Sequence, residues 1–164
     1  MDTNPITKQT EQILIDGYER FYRLAYSYVH NKEDALDIVQ SAVLKALDHY
    51  QALRDENAVR TWFYRILVNE SIGLIKQRKR ETLTEDGMDE DVPYYETGYD
   101  SEDDLYDQLN CLETDVQTII KLRYFEELSL KEIAYVTKSN LNTVKTKLYR
   151  GLKQLKQSIQ EVEV

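Results

Sequence analysis

The chain has 164 residues, 41% hydrophobic and 31% charged, room for one ordinary domain or two small ones. Its 21 Lys and Arg against 30 Asp and Glu leave a formal charge of −9, an average that argues against a nucleic-acid partner. A single cysteine and two histidines exclude a disulfide framework and most metal or acid–base sites, and no apolar run nears the roughly 20 residues of a membrane span.

Residues 1–80 hold 12 basic and 11 acidic side chains and read as three helices. Leu14, Tyr18, Phe21, Ala25 and Tyr28 recur with the spacing of one apolar helix face. Asn31 followed by Asp34 marks a second start, a side-chain cap with an acid in the first turn. That helix is expected to bury Ala35, Ile38, Val39, Ala42 and Ala46 and to present Asp37, Gln40, Ser41, Leu44 and Asp48. A third helix near 58–79 carries Trp62, Phe63, Ile66, Leu67, Glu70 and Leu74 as its stripe. Arg65, Asn69, Ile72 and Lys76 line another side, before a basic end at Lys76–Arg80.

The turn Arg54, Asp55, Glu56, Asn57 leads into this helix, where Arg60 and Arg65 bracket Thr61, Trp62, Phe63 and Tyr64. Rings interleaved with arginines suit single-stranded nucleic acid, since rings stack on bases while cations follow phosphates. The same rings also suit a core. Both readings hold if the rings are mostly buried and only their edges and the turn meet a base.

Residues 81–115 hold 14 acids and no Lys or Arg. With Gly87, Pro93 and Gly98 and no helical period, residues 81–104 read as a flexible acidic linker. Residues 116–164 hold nine basic and five acidic side chains, and 138–156 contain no acid. Leu105, Leu109 and Leu112 open a short helix, and Val116, Ile119, Ile120 and Tyr124 continue with another. Ser129 and Glu132 form an S-x-x-E capping box. Ala134 is small enough to let a following helix cross closely. Lys138, Ser139 and Asn140 make a turn, with Asn140 or Asn142 as the next cap. The last helix gathers Leu141, Val144, Leu148, Leu152, Leu155 and Ile159 on one face and Thr143, Thr146, Lys147 and Arg150 opposite. Two short helices, a three-residue turn and an acid-free second helix describe a helix-turn-helix. The expected architecture is all-α: a helical bundle over 1–80, the acidic linker over 81–104, and a helix-turn-helix domain over 105–164.

Three sets of motifs carry a resemblance. The first is Asp34–Gln40 with Leu44, Lys45 and Ala46. The second is Arg60–Ile66 with Asn69. The third joins Leu122–Tyr124, Leu128–Ser129, Glu132–Ala134 and Thr143–Lys145 with Leu148, Arg150 and Leu155. In order and spacing the chain resembles the extracytoplasmic-function class of bacterial RNA polymerase sigma factors. The resemblance implies a protein that binds core polymerase and directs promoter-specific initiation in the cytoplasm. It implies that Asp37, Gln40, Ser41 and Leu44 dock on the clamp helices of the largest subunit. The −10 element falls to Arg54, Asp55, Glu56, Asn57, Arg60, Thr61, Trp62, Arg65 and Asn69. The −35 duplex falls to Ser139, Asn140, Asn142, Thr143, Lys145, Thr146, Lys147 and Arg150, with the domain resting on the flap of the second-largest subunit. An anti-sigma factor, commonly membrane-bound for this class, is a further expected partner. No catalytic residue, metal or cofactor is expected.

The sequence departs from the family pattern at five positions, the first being Ser41, where an acid is frequent. Glu127 and Asn142 stand where glycine is usual, Leu47 where an aromatic is common, and Lys147 where arginine is typical. A stand-alone helix-turn-helix regulator is the alternative reading. The acidic segment resembles a nucleic-acid strand in charge, and is expected to follow the polymerase cleft along the path of nascent RNA.

Overall fold

The computed structural model describes residues 5–53, 55, 58–84 and 108–162. The chain divides into two compact units, Met1–Glu96 and Thr97–Val164. Both are built of α-helices, with no strand among the described residues. Most of the acidic segment, residues 85–104, lies outside the described residues, as does its expected course in a polymerase.

The first unit packs α1 (Pro5–Val29), α2 (Lys32–His49) and α3 (Val59–Thr84), with a 3-10 turn at Tyr50–Ala52. Asn31 caps α2 as its sequence implies: its side-chain oxygen accepts from the Asp34 amide at 3.1 Å. That bond satisfies one of the four amides a helix start leaves open. The α2 core face is the one expected, with Ala35, Ile38, Val39, Ala42 and Ala46 all buried. On α1, Phe21, Ala25 and Tyr28 are buried as expected and Leu24 joins them, whereas Tyr18 is 44% exposed.

The α3 stripe sits elsewhere than its spacing suggests. Val59, Phe63, Tyr64, Leu67 and Val68 form the buried side, while Trp62, Ile66, Glu70 and Leu74 are only partly covered. The Phe21 ring lies 4.6 Å from that of Phe63 and 5.4 Å, edge-on, from that of Tyr64. Tilted pairs of this kind add about 0.5–1.5 kcal/mol to area burial. Two ion pairs tie α2 to α3, Lys45 with Glu70 and Arg78 with Asp34. The third helix also runs four residues into the segment expected to be linker. The Thr82 hydroxyl donates to the Arg78 carbonyl at 2.9 Å, and Gln77 donates to Glu81. Side chains four apart on a helix meet this way and extend it by a turn.

In the second unit α4 (Thr114–Tyr124) precedes α5 (Leu130–Thr137) and α6 (Leu141–Val162). The Ser129–Glu132 capping box is formed in both directions. Ser129→Ala should therefore lower the stability of this unit by about 1 kcal/mol, read as a lower urea midpoint at unchanged slope. Val116, Ile119, Ile120, Leu122, Leu128, Ile133, Val136, Val144, Leu148 and Leu155 make the core, whereas Tyr124 is exposed.

A close helix crossing is seen at Gly151, between α6 and α4. A Cβ there would stand 2.5 Å from Val116 Cγ1 and 2.7 Å from Ile120 Cδ1, so the missing side chain lets α6 lie on α4. Glu127 and Lys138, before and after α5, have φ of 58° and 55°. Lys121 is fully buried and donates from Nζ to Gln117 Oε1 at 2.8 Å. Burial penalises its ammonium and lowers the pKa from 10.5 to about 7.

Candidate nucleic-acid interface

On α2 the residues between the core positions point outward. Asp37 and Gln40 are exposed, Ser41 is half-buried, and Leu44 is 62% exposed. Leu44 also borders an open apolar groove of about 710 Å3 between α1 and α2. Leu14, Ile15, Tyr18, Val39 and Val43 line it with Gln40. Large apolar side chains left together in water mark a surface that another molecule covers.

At the start of α3, Arg54, Glu56 and Asn57 lie outside the described residues. Asp55 is exposed, and its carbonyl accepts from the Ala58 amide at 3.2 Å, which turns the chain into the helix. With about 100° per residue, Thr61, Trp62, Arg65 and Asn69 fall on one strip of α3 turned from the core. The first three are half-buried and Asn69 is exposed. Arg60 lies apart from that strip, its guanidinium carbon 5.6 Å from the centroid of the Tyr64 ring. Of the two aromatics that the sequence leaves ambiguous, Phe63 is core and Trp62 is half-buried.

The basic end of α3 is exposed from Lys76 to Arg80. Even so, Arg78 is held at 2.5 Å by Asp34 in the first turn of α2. A cation committed in this way is less available to phosphate.

In the second unit α5 and α6 form the helix-turn-helix, joined through Lys138–Asn140. Ser139 is half-buried, and its amide donates to the Ala134 carbonyl at 3.0 Å. Asn140 is the cap of α6: its side-chain oxygen accepts from the Thr143 amide at 2.7 Å. Asn142 is exposed, and its carbonyl accepts from the Thr146 hydroxyl at 2.9 Å.

The buried line of α6 runs through Val144, Leu148, Gly151 and Leu155. At about 100° per residue, Asn142, Thr146, Tyr149, Arg150 and Lys153 form the opposite sector, with Lys145 and Thr143 on its two flanks. Tyr149 is 72% exposed at the edge of this sector on the Lys145 side, a position the motif spacing does not single out. Its signal in the sequence is its place as the i+3 neighbour of Thr146, between two residues of the outer face. Lys147 is not in the sector. It is half-buried beside α4, with Nζ 2.5 Å from Asp115 Oδ2.

Among the described residues, no cluster of three His, Cys, Asp or Glu side chains is placed to hold a metal ion. No described helix is long and apolar enough to cross a membrane.

Comparison with known proteins gives these surfaces a family. The model for Sigma-70 region 2 matches residues 14–81, and that for Sigma-70, region 4 matches residues 102–155. RNA polymerase sigma factor SigV of Bacillus subtilis (strain 168) is 42% identical over 151 residues, spanning 89% of this chain and 91% of the relative. The ECF RNA polymerase sigma-E factor of Haemophilus influenzae is 28% identical over 169 residues, spanning 93% of this chain and 89% of its own. Among solved structures, the sigma factor RpoE in complex with the anti-sigma factor NepR from Bartonella quintana shares the fold at TM-score 0.78. It is 24% identical, over 92% of this chain and 96% of that one. The chain thus belongs to the extracytoplasmic-function class of RNA polymerase sigma factors and serves promoter-specific transcription initiation.

Proposed function

We propose a division of labour between the two units. The outward face of α2, with Asp37, Gln40, Ser41 and Leu44, docks on the clamp helices of the polymerase largest subunit. The start of α3, through Asp55, Thr61, Trp62, Arg65 and Asn69, reads the −10 element with Arg60 and the adjoining turn residues Arg54, Glu56 and Asn57. The outer sector of α6, with Asn142, Lys145, Thr146, Tyr149 and Arg150, reads the −35 duplex, flanked by Thr143 and the turn of Ser139 and Asn140. The second unit rests on the flap of the second-largest subunit.

The observation that supports this reading most is the α6 face. It is acid-free, projects from a capped helix-turn-helix, and offers side chains of both kinds a major groove requires. Lys145 and Arg150 meet phosphates or guanine, and Asn142 and Thr146 match polar base edges. In the first unit Trp62 offers a stacking edge beside Arg65, the pairing that suits a strand already opened. Extruding a base costs a few kcal/mol, which stacking and phosphate contacts offset. The chain supplies recognition and the polymerase supplies catalysis, so the protein works in the cytoplasm beside the chromosome.

An anti-sigma factor is a further proposed partner, by analogy with the complexes of RpoE with NepR and of CnrH with the cytosolic domain of CnrY. The exposed groove between α1 and α2 is the apolar surface such a partner would cover.

Reconstitution with core polymerase tests the assignment. The complete chain should give promoter-specific transcripts that core polymerase alone does not. Arg150→Ala should reduce them about tenfold or more, the discrimination of one good base contact. Trp62→Ala should reduce open-complex formation by a comparable factor, the worth of one stacked base. A footprint by the isolated chain on paired half-sites, with no need for core, would instead establish a stand-alone regulator.

A further inference from the structure

The recognition helix carries one cation that the structure turns away from the reading sector. Lys147 leans back onto the start of α4, where its Nζ meets Asp115 Oδ2 at 2.5 Å. The other Asp115 oxygen accepts from the Val116 amide at 2.8 Å. Both carboxylate oxygens are therefore committed at the helix start. The Lys147 side chain is 26% exposed and that of Asp115 48%. The hydrogen bond from Lys147 leads the causes that hold the Asp115 carboxyl below its usual range, so the carboxylate stays ionised through neutral pH.

The position of Lys147 on the wheel explains the contact. It stands about 70° from the buried line through Val144, Leu148, Gly151 and Leu155, on the flank that faces α4. Thr146 and Arg150 diverge from that flank toward solvent. The close seating of Gly151 on Val116 and Ile120 brings α6 near enough to the start of α4 for the two side chains to meet.

We infer that Asp115 is a positioning and specificity-determining residue of the duplex-reading surface: it holds Lys147 on α4 and withdraws it from DNA. The inference rests on the −35 role proposed for α6. A lysine released on this flank would bind any backbone phosphate, because an ammonium contact to phosphate carries no sequence information. Tying it down lowers sequence-independent binding and leaves the readout by Asn142, Thr146, Tyr149 and Arg150 undiluted.

The test uses the complete chain in holoenzyme with core polymerase. Equilibrium binding is measured on a duplex with the matched upstream element and on one with that element scrambled, from about 50 to 200 mM salt. Asp115→Asn should steepen the log-affinity against log-salt slope by about 0.9, the increment for neutralising one more phosphate. It should also raise affinity for the scrambled duplex about threefold or more at the lowest salt, narrowing the preference for the matched one. Lys147→Ala should leave the slope at the parent value, and the double variant should return to it. Lys147→Ala flattening the slope by about 0.9 would place Lys147 on DNA and overturn the inference. Equal slopes in all variants would overturn it as well. If Asp115→Asn melts the second unit, Asp115→Ser, whose hydroxyl can still accept from the Val116 amide, takes its place in the same comparison. Arg150→Ala separates the two levels: if it leaves the matched-duplex preference intact, the −35 assignment of α6 fails, whatever Asp115 does.

Discussion

Phe63→Ala is expected to unfold the first unit under conditions where the parent is stable. Phe63 is 1% exposed, and its ring meets that of Phe21 at 4.6 Å. Truncating a fully buried phenylalanine costs about 3–5 kcal/mol in transfer and cavity terms. A whole domain holds only about 5–15 kcal/mol, and a unit of three helices sits toward the low end of that range. Trp62 is the sole tryptophan of the chain and belongs to this unit, so its emission reports this unit alone. With a slope of about 2 kcal/mol per molar, the urea midpoint of that signal should fall by about 2 M. Promoter-specific transcription should fall with it, and Phe63→Leu should recover most of both. A midpoint shift below about 0.5 M would show that the Phe21–Phe63–Tyr64 cluster is not what holds α1 and α3 together.

Lys121 gives the second unit an unusual pH dependence. Its pKa is 10.5 in the unfolded chain and about 7 in the fold, with desolvation as the cause. Between those values the unfolded state binds a proton that the folded state does not, so stability rises with pH. The rise begins near pH 7, reaches up to about 1.4 kcal/mol per pH unit, and ends near the unfolded pKa. Below pH 7 both states are protonated and this contribution is flat. Urea melts of the second unit by circular dichroism, between pH 7 and 9.5, should show the rise in the parent. Lys121→Met should abolish it. Its effect at a single pH is less informative, because the Gln117 oxygen that accepts from Nζ also loses its donor. A parent profile flat over that interval, or a rise that survives in Lys121→Met, would refute the assignment.

Much of the fold was legible because several elements announce themselves locally. The α2 face is apolar every three or four residues and polar between, so its phase is unambiguous and its five core positions are those observed. Asn31 and Ser129 are caps whose chemistry is complete within four residues. The third helix is different. Positions 62, 63, 64, 66, 67 and 68 are all apolar or aromatic, so the pattern surrounds the helix and selects no face. Tertiary packing made the choice, burying Tyr64 and leaving Trp62 half-buried.

Charged residues were the hardest to place. The long stem of Lys121 is compatible with burial, yet nothing in its neighbours' spacing signals an ammonium at 0% exposure. Lys147 reads as an outer-face cation until Asp115, 32 residues earlier, is seen beside it. The outer residues of α2 and α6 were legible as surfaces, because a surface is what remains when the core phase is known. What each touches depends on a partner, which a single chain's periodicity does not encode.

The turn between α5 and α6 begins at a residue whose backbone and side chain pull in different directions. Lys138 closes α5 with φ of 55° and ψ of 38°, a backbone shape that glycine adopts freely and most side chains resist by about 1–2 kcal/mol. Keeping lysine there puts a cation at the carboxyl end of α5, where the helix dipole favours it and offsets part of the strain. The side chain itself is exposed to solvent at the joint between α5 and α6. On the −35 role proposed for α6, a phosphate contact by this cation would need no base edge in register. In this protein the elbow of the motif gives up backbone ease in return for charge.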